Sequence, residues 1–547
     1  MKFPLLALLS FTLITRAAHA ALPVPDADNG GLELPPGFRA LIVADKLIDG
    51  RKIGKDGDQL RFITVAPNGD LYAKTARGGI IALRDNDGDG RFEEKHEFGS
   101  GGGSGIALRG EWLYSSTNDA VYRYKLTPGE LVPTSAAETV ISGLPDGHQH
   151  EAKSFAFGGD GQLYVEIGSP SNAYGNPDRA YMKPGTPSLD PTEFLKTHGG
   201  WWRFNPDKLN QTQADGYHFS TGHRHMLAIS WNRAAQSFYV IQMGRDQLNV
   251  VAPEYYDELD NAERVSEVMH KLEDGANFGW PYTYWDPIKK DRMLSPEHGG
   301  DGRKRAEPGK YPAPVIAFPA HWAALQMSFY YAAQFPAKYQ NGAFVTFHGS
   351  WNRAPRPQEG FRVSFVPFDE KGAALGSYEN FAGSSIGAKI RMGGLAVAPD
   401  GSLYVSDTDI GRIWRIIYTG ETTTAATTPR AIESKPTTVA GSINSPGKMI
   451  FEQICAACHM VDGSGAGQMQ PALVGSAVVK GDATQIIRVV LQGPAAVLPA
   501  DRAKYSNVMP AFSILTNEQI ADVLTYVRKT FGAGSPPITA AQVAAQR

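Results

Sequence analysis

A recurring strand–turn–strand pattern constrains this 547-residue chain more than any other feature. It reads Phe62-Ile63-Thr64-Val65-Ala66-Pro67-Asn68-Gly69-Asp70-Leu71-Tyr72. It returns as Phe155-Ala156-Phe157-Gly158-Gly159-Asp160-Gly161-Gln162-Leu163-Tyr164-Val165, and again as Leu395-Ala396-Val397-Ala398-Pro399-Asp400-Gly401-Ser402-Leu403-Tyr404-Val405. Asn-Gly and Asp-Gly supply the positive φ of a tight turn between two apolar strands. Weaker copies lie near Ile106–Tyr114, Ile229–Val240 and Phe329–Phe347, at irregular spacing because of long insertions. Together with 59 Gly and 37 Pro they predict short strands and turns, not a helical array. Repeated small sheets at this density predict a mainly β fold, a six-bladed β-propeller over residues 21–418, with an irregular sandwich as the alternative.

Beyond residue 418 the composition changes. Residues 419–446 are Thr-, Ala- and Pro-rich and read as an extended linker. A small all-α domain is expected over 447–532, followed by a tail over 533–547. Asp482 is placed to cap a helix running to Leu491, and Thr516 with Gln519 forms a capping box. Ile520, Val523, Leu524 and Val527 then share one helical face, and Gly532 is expected to close that helix. The only two cysteines of the chain stand in this region, as Cys455-Ala456-Ala457-Cys458-His459. C-x-x-C-H is the attachment site of a c-type haem: two thiols bond the vinyl groups and the adjacent imidazole meets the iron. A zinc site needs further Cys or His at ligand spacing, and none follows. Met509, before Pro510, is the expected sixth ligand. Met469 is a rival, and Met460 sits too close to His459 to reach the opposite face. With Asp462-Gly463, Gly465, Pro471, Leu473 and Gly475 between them, these residues resemble class I cytochromes c.

The amino terminus reads as a secretory signal. Lys2 is the charged start, Phe3–Ile14 the apolar run and Ala18-His19-Ala20 the cleavage site. That run is too short to span a membrane. Cleavage after Ala20 removes two of 53 basic residues, leaving 51 against 56 acidic ones. This balance gives no basic face for nucleic acid. The expected compartment is the periplasm, with both cysteines committed to haem and no disulfide.

Within the propeller, His148, His150, His223, Arg224, His225, His321, His348 and Arg391 fall at strand ends, where a central pocket would form. Any one such histidine is more often structural than functional, but several imidazoles and guanidiniums at corresponding positions of the repeats are harder to dismiss as structural. Further motifs are Gly143-Leu144-Pro145, Thr221-Gly222-His223-Arg224, Asp274-Gly275-Ala276-Asn277-Phe278-Gly279-Trp280-Pro281, His348-Gly349-Ser350-Trp351-Asn352-Arg353 and Ala398-Pro399-Asp400-Gly401. Taken together from about Leu34 to Ile417, this set resembles the pyrroloquinoline-quinone-dependent sugar dehydrogenases of the sorbosone and soluble glucose group.

The resemblance implies a set of roles. His150 is the general base, with His148 as the alternative, and Arg224 stabilises charge on the reduced quinone. Arg224, Arg391, Arg61, Lys74, Arg353 and His225 are the candidate contacts to an ortho-quinone that carries three carboxylates. Calcium ligands map to the backbone near Gly244, Arg245 and Asp246. Two departures remove any licence for glucose itself: His225 stands where the soluble glucose enzymes have Asn, and Gly393 where they have a second arginine. Asp85-Asn86-Asp87-Gly88-Asp89-Gly90 starts like a calcium loop, but His96 occupies position 12, so a solvated turn and a structural calcium both stay open. The expected whole is a quinohaemoprotein that oxidises a sugar, sugar aldehyde or polyol and passes electrons through haem c to an external acceptor. A propeller lactonase-type hydrolase and a cofactor-free electron-transfer or binding protein are the alternatives.

Overall fold

The computed structural model describes residues 22–49, 58–147, 149–384, 390–420, 445–460, 463, 465, 470–502, 505 and 509–547. The signal segment, His148, Asp462, Met469 and most of the expected linker (421–444) lie outside these residues.

Six four-stranded antiparallel sheets form a six-bladed propeller. The first blade is Leu60–Val65, Leu71–Thr75, Ile80–Arg84 and Glu94–Phe98; the second is Ile106–Arg109, Trp112–Ser116, Val121–Lys125 and Glu138–Ile141. The third is Phe155–Phe157, Leu163–Ile167, Gly200–Phe204 and Tyr217–Thr221, and the fourth Ala228–Asn232, Ser237–Gln242, Ser266–Lys271 and Ile316–Ala320. The fifth, Ala324–Phe329, Ala343–Phe347, Arg362–Val366 and Glu379–Ser384, gains a short fifth strand, Leu32–Glu33. The sixth comprises Met392–Val397, Leu403–Asp407 and Ile413–Tyr418, and takes its outer strand, Phe38–Ala44, from the amino terminus. This last pairing, Phe38 opposite Tyr418 and Ala40 opposite Ile416, joins the amino terminus to the last blade and closes the ring.

The six repeats of the sequence are the first and second strands of the six blades. Their tight turns join Val65 to Leu71, Phe157 to Leu163 and Val397 to Leu403, with Gly69 at φ 96°. First strands of neighbouring blades meet at the axis, as Leu60–Val65 does with Met392–Val397. Antiparallel geometry has one consequence for function. The start of each first strand and the end of each second strand lie at the same end of a blade, opposite the repeated Gly turn. Residues at those positions in different blades therefore converge on one face.

Blade closure concentrates aromatic packing. Phe38 meets Phe335, Phe381, Tyr418 and Tyr339 edge-on at centroid distances of 4.8, 5.0, 5.0 and 5.3 Å. Phe38→Ala removes the centre of this cluster and is expected to destabilise the propeller by about 3–5 kcal/mol. Denaturant unfolding followed by tryptophan fluorescence should show it, with the haem absorbance transition unmoved.

The carboxy-terminal domain is helical. Pro446–Ile450 runs into the haem motif, Ala483–Gln492 is capped by Asp482, and Asn517–Thr530 begins with the Thr516–Gln519 capping box. Ile520, Val523, Leu524 and Val527 are buried against Phe451, Ile486 and Ile487. The first and last of these helices cross so closely that a Cβ on Gly447 would lie 2.0 Å from Asp522 O. Gly532 follows the C-cap Phe531 and closes the long helix, its N–H donating to Arg528 O (3.1 Å). One expectation shifts here. Residues 533–547 do not trail away as a tail: Ala540–Ala544 is helical, Val543 is fully buried, and Arg528 ties the segment down through Pro536 O. Ile538 and Val543 supply the apolar surface that a free tail would lack. The two parts of the chain touch where Ala511 N–H, two residues beyond Met509, donates to Glu258 on the helix Glu258–Glu263 of the propeller (3.0 Å). Among the described residues, no helix is long and apolar enough to cross a membrane.

Candidate active site

The convergent face of the propeller carries the candidate site. His150 precedes the first strand of the third blade, and Arg224 and His225 precede that of the fourth. Asp246 follows a second strand, His321 precedes the fifth blade, His348 follows its second strand, and Arg391 precedes the sixth. Backbone strain gathers in the same region. His150, Tyr174, Arg179, Gln247, His321 and Ala323 all adopt positive φ, between 51° and 62°. Non-glycine residues hold such angles only where their surroundings over-determine them, as functional sites do.

His150 Nδ1 lies 2.7 Å from Ser169 O. A carbonyl only accepts, so Nδ1 carries the proton and Nε2 keeps its lone pair. Burial, reinforced by the charges of Arg224, His225 and Arg179, holds His150 well below 6.5. It is thus a neutral imidazole with one basic nitrogen. Its ring lies 5.0 Å from that of His225, and His225 Nδ1 meets Glu166 Oε1 at 2.9 Å.

Arg224 is 4% exposed and donates to Gly244 O (2.9 Å) and to Asp246 (2.5 Å). Asp246 also binds Arg179 (3.0 Å) and Asn352 (2.9 Å), with His321 at 3.7 Å. Burial works against ionising Asp246, yet Arg224 and Arg179 hold its carboxyl far below the usual range. Glu267, beside this group, is different. One of its oxygens has no hydrogen-bond partner, and burial pushes its carboxyl up to about 8. Gly244 O, the Asp246 carboxylate and a buried, under-compensated Glu267 are the oxygens a hard cation takes. A cation at Gly244 competes there with Arg224. Arg245 offers only its backbone, since its side chain is buried in an ion pair with Glu297.

A second cationic cluster gathers where the first and sixth blades begin. Arg61 is lowered by burial and further by repulsion from Arg77 and Arg391, against Asp409 and Asp58. His348, partly exposed but with its Nδ1 enclosed and unpartnered, is pushed well below 6.5 by desolvation and by Arg391 and Arg61. Arg391 reaches Asp409 at 3.1 Å. So many like charges held together fit an anionic ligand with several carboxylates. Lys74 is fully buried and donates to Gly101 O (2.7 Å), and burial lowers it to about 8. Arg353 donates to Ala320 O (2.9 Å) and pairs with Glu359 (3.4 Å), so its guanidinium serves the fifth-blade loop. His223 stacks on Phe278 in the blade interior (4.5 Å). Gly393 has no room for any side chain: a Cβ there would lie 2.4 Å from Thr408 Cγ2, so packing accounts for the missing arginine.

The helical domain holds an apolar cavity of about 490 Å³ lined by Cys455, His459 and Met509, with Ile454, Leu524 and Val527 among its walls. His459 Nδ1 donates to Pro471 O (2.9 Å), leaving Nε2 for a metal. Such a cavity, with a thiol, an imidazole and a thioether on its wall, fits a haem. At Asp85–Gly90 the acidic oxygens hold their own turn: Asp85 accepts from Gly88 and Gly90 (2.7 and 2.8 Å), and Glu93 accepts from Asn86 (2.9 Å). Oxygens of Asp85, Asp87, Asp89 and Glu93 lie within 4.8 Å of one another, so Glu93, and not His96, completes the group.

Residues 33–419 match the TrAA12-like family model and residues 445–531 match cytochrome c. The chain belongs to the TrAA12-like family. Its propeller resembles the holo form of the pyranose dehydrogenase PQQ domain from Coprinopsis cinerea (TM-score 0.56, 17% identity, 71% of this chain and 97% of that one). It also resembles the calcium structure of Trichoderma reesei Carbohydrate-Active Enzymes Family AA12 (TM-score 0.56, 16% identity, 73% and 99%). In sequence, the cytochrome c subunit of a quinone alcohol dehydrogenase from Gluconacetobacter polyoxogenes is 36% identical over 18% of this chain and 21% of its own length. An uncharacterized protein of Borreliella burgdorferi is 25% identical over 36% and 48%. The chain thus spans about half or less of the length of these two curated relatives.

Two functional candidates, Arg179 and Glu166, escape a sequence reading. Arg179 lies in a long insertion within the third blade. Glu166 sits in the strand Leu163–Ile167, where a charged residue among apolar neighbours is the one signal that could have marked it.

Proposed function

We propose that this protein is a periplasmic quinohaemoprotein dehydrogenase. It oxidises a sugar, sugar aldehyde or polyol in the propeller and passes the electrons through haem c to an external acceptor. The observation that carries this reading is the neutral His150 beside Arg224 and Arg179, in one chain with a haem-type cavity. Bound pyrroloquinoline quinone supplies the hydride-accepting carbonyl, and calcium beside it supplies Lewis-acid polarisation.

The chain's own residues do the rest. Arg61, Arg391 and Arg224 hold the carboxylates, and Gly244 O, Arg245 O and Asp246 hold the cation. His150 Nε2 takes the substrate hydroxyl proton as the carbon releases hydride. Arg224 stabilises the negative charge that then develops near it. In the helical domain Cys455 and Cys458 bond the porphyrin, while His459 and Met509 bind its iron. The family match and the attached cytochrome c domain favour oxidation over hydrolysis, which needs no haem.

Protein reconstituted with the quinone and calcium should reduce an artificial dye when given pyranose sugars, and apoprotein should not. Because burial lowers His150, its basic form persists as pH falls through 6.5. The acid limb of the rate profile should therefore lie well below 6.5. Dye reduction independent of quinone, or an acid limb at or above 6.5, counts against the reading.

A further inference from the structure

We propose that His225 and Glu166 form a positioning pair that drains the proton accepted by His150, so that the base of this pocket is a relay of two imidazoles ending on a buried carboxylate. The inference rests on the dehydrogenase reading of the pocket and adds to it a role that His150 alone cannot fill.

The geometry is specific. Glu166 is fully buried in a strand whose other residues are also buried. Its Oε1 accepts from His225 Nδ1 (2.9 Å) and from the Met226 backbone N–H (3.0 Å), and its Oε2 has no hydrogen-bond partner. A carboxylate accepts, so the network assigns the proton of His225 to Nδ1 and leaves Nε2 basic. Ser169 O sets the same tautomer on His150. Two imidazoles whose rings are 5.0 Å apart therefore each keep a basic Nε2.

Charge then gives the relay its direction. Burial opposes an imidazolium at His150 first, and the charges of Arg224, His225 and Arg179 oppose it further, against the Ser169 carbonyl that favours it. His225 is backed directly by Glu166, whose other charged neighbour is Lys153, itself tied to Glu151 O (2.6 Å). A buried carboxylate on Nδ1 favours the charged ring and fixes its orientation. In the proposed sequence the substrate O–H bond breaks and an N–H bond forms at His150 Nε2. Once product has left, that proton crosses the emptied substrate position by way of water to His225 Nε2 and passes from there to solvent, so both rings are neutral again before the next substrate binds. Only a proton moves along this path, and the electrons leave with the hydride.

Two full-length variants test the relay. Glu166→Gln keeps the shape and an acceptor for Met226 N–H. Ring-carbon NMR of the apoprotein across pH should show the proton affinity of His225 falling at least tenfold, and an unchanged titration overturns the pair. This readout needs no turnover, so it stands even if no sugar proves to be a substrate. His225→Gln keeps a donor to Glu166 and so protects the fold. In protein loaded with quinone and calcium it should lower kcat for sugar about tenfold with KM unchanged, and added imidazole should restore the rate. Loss of kcat without rescue, or no loss, overturns the relay. A sugar-inert wild type with a shifted Glu166→Gln titration overturns the dehydrogenase reading and leaves the dyad standing.

Discussion

Replacing His150 with alanine is expected to lower sugar-driven haem reduction by about 10²–10⁴-fold, the range a positioned base supplies. The haem itself remains fully reducible by dithionite. The reasoning is local. The ring is fixed by Ser169 O, its Nε2 is free, and its surroundings keep it neutral at pH 7. The neighbouring His225 does not replace it, because Glu166 holds that ring in its own orientation. Stopped-flow absorbance at the haem bands reads the loss, and quinone binding, measured separately, should be unaltered. Sugar-driven reduction at the wild-type rate would remove His150 from the mechanism and turn attention to His148.

The second large effect concerns the haem attachment. A Cys455→Ala, Cys458→Ala double variant should lose covalent haem and with it the helical domain's fold. The cavity that haem would fill measures about 490 Å³ and is walled almost entirely by apolar side chains. At about 24 cal/mol per Å³ of unfilled core, leaving it vacant costs on the order of 10 kcal/mol. That is comparable to the whole stability of a typical domain, about 5–15 kcal/mol. Dye-coupled sugar oxidation in the propeller should survive, because the quinone contacts proposed above lie in another domain. Far-UV circular dichroism and a haem stain on a denaturing gel separate the outcomes. A double variant with a fully helical carboxy-terminal domain would show that the cavity collapses on its own.

Much of this arrangement was legible in the chain. Asp-Gly and Asn-Gly turns marked the first two strands of the first, third and sixth blades, since a positive φ between apolar runs has few other uses. The capping residues Asp482 and Thr516 and the C-x-x-C-H motif likewise stood where the structure uses them. The outer strands were not legible. Glu94–Phe98 is largely exposed and polar, and it earns its place through pairing with Ile80–Arg84. The folding back of residues 533–547 was missed because Ile538 and Val543 are too few to give a periodicity. The pocket's buried charges were missed for a related reason. Glu166 and Glu267 each interrupt a strand buried along most of its length, and alternation cannot flag a charge where both faces are covered. The same pattern is nonetheless a signal in hindsight: a charge inside such a strand needs a partner, and here it points to the pocket.

The most direct measurement follows the haem of the full-length protein, anaerobically, as a pyranose sugar is added. With quinone and calcium present, the Soret and α bands should shift to the reduced form, to one reduced haem per chain. Leaving out quinone or sugar should leave the haem oxidised. Sugar consumed while the haem stays oxidised, or haem reduced without quinone, would contradict the account.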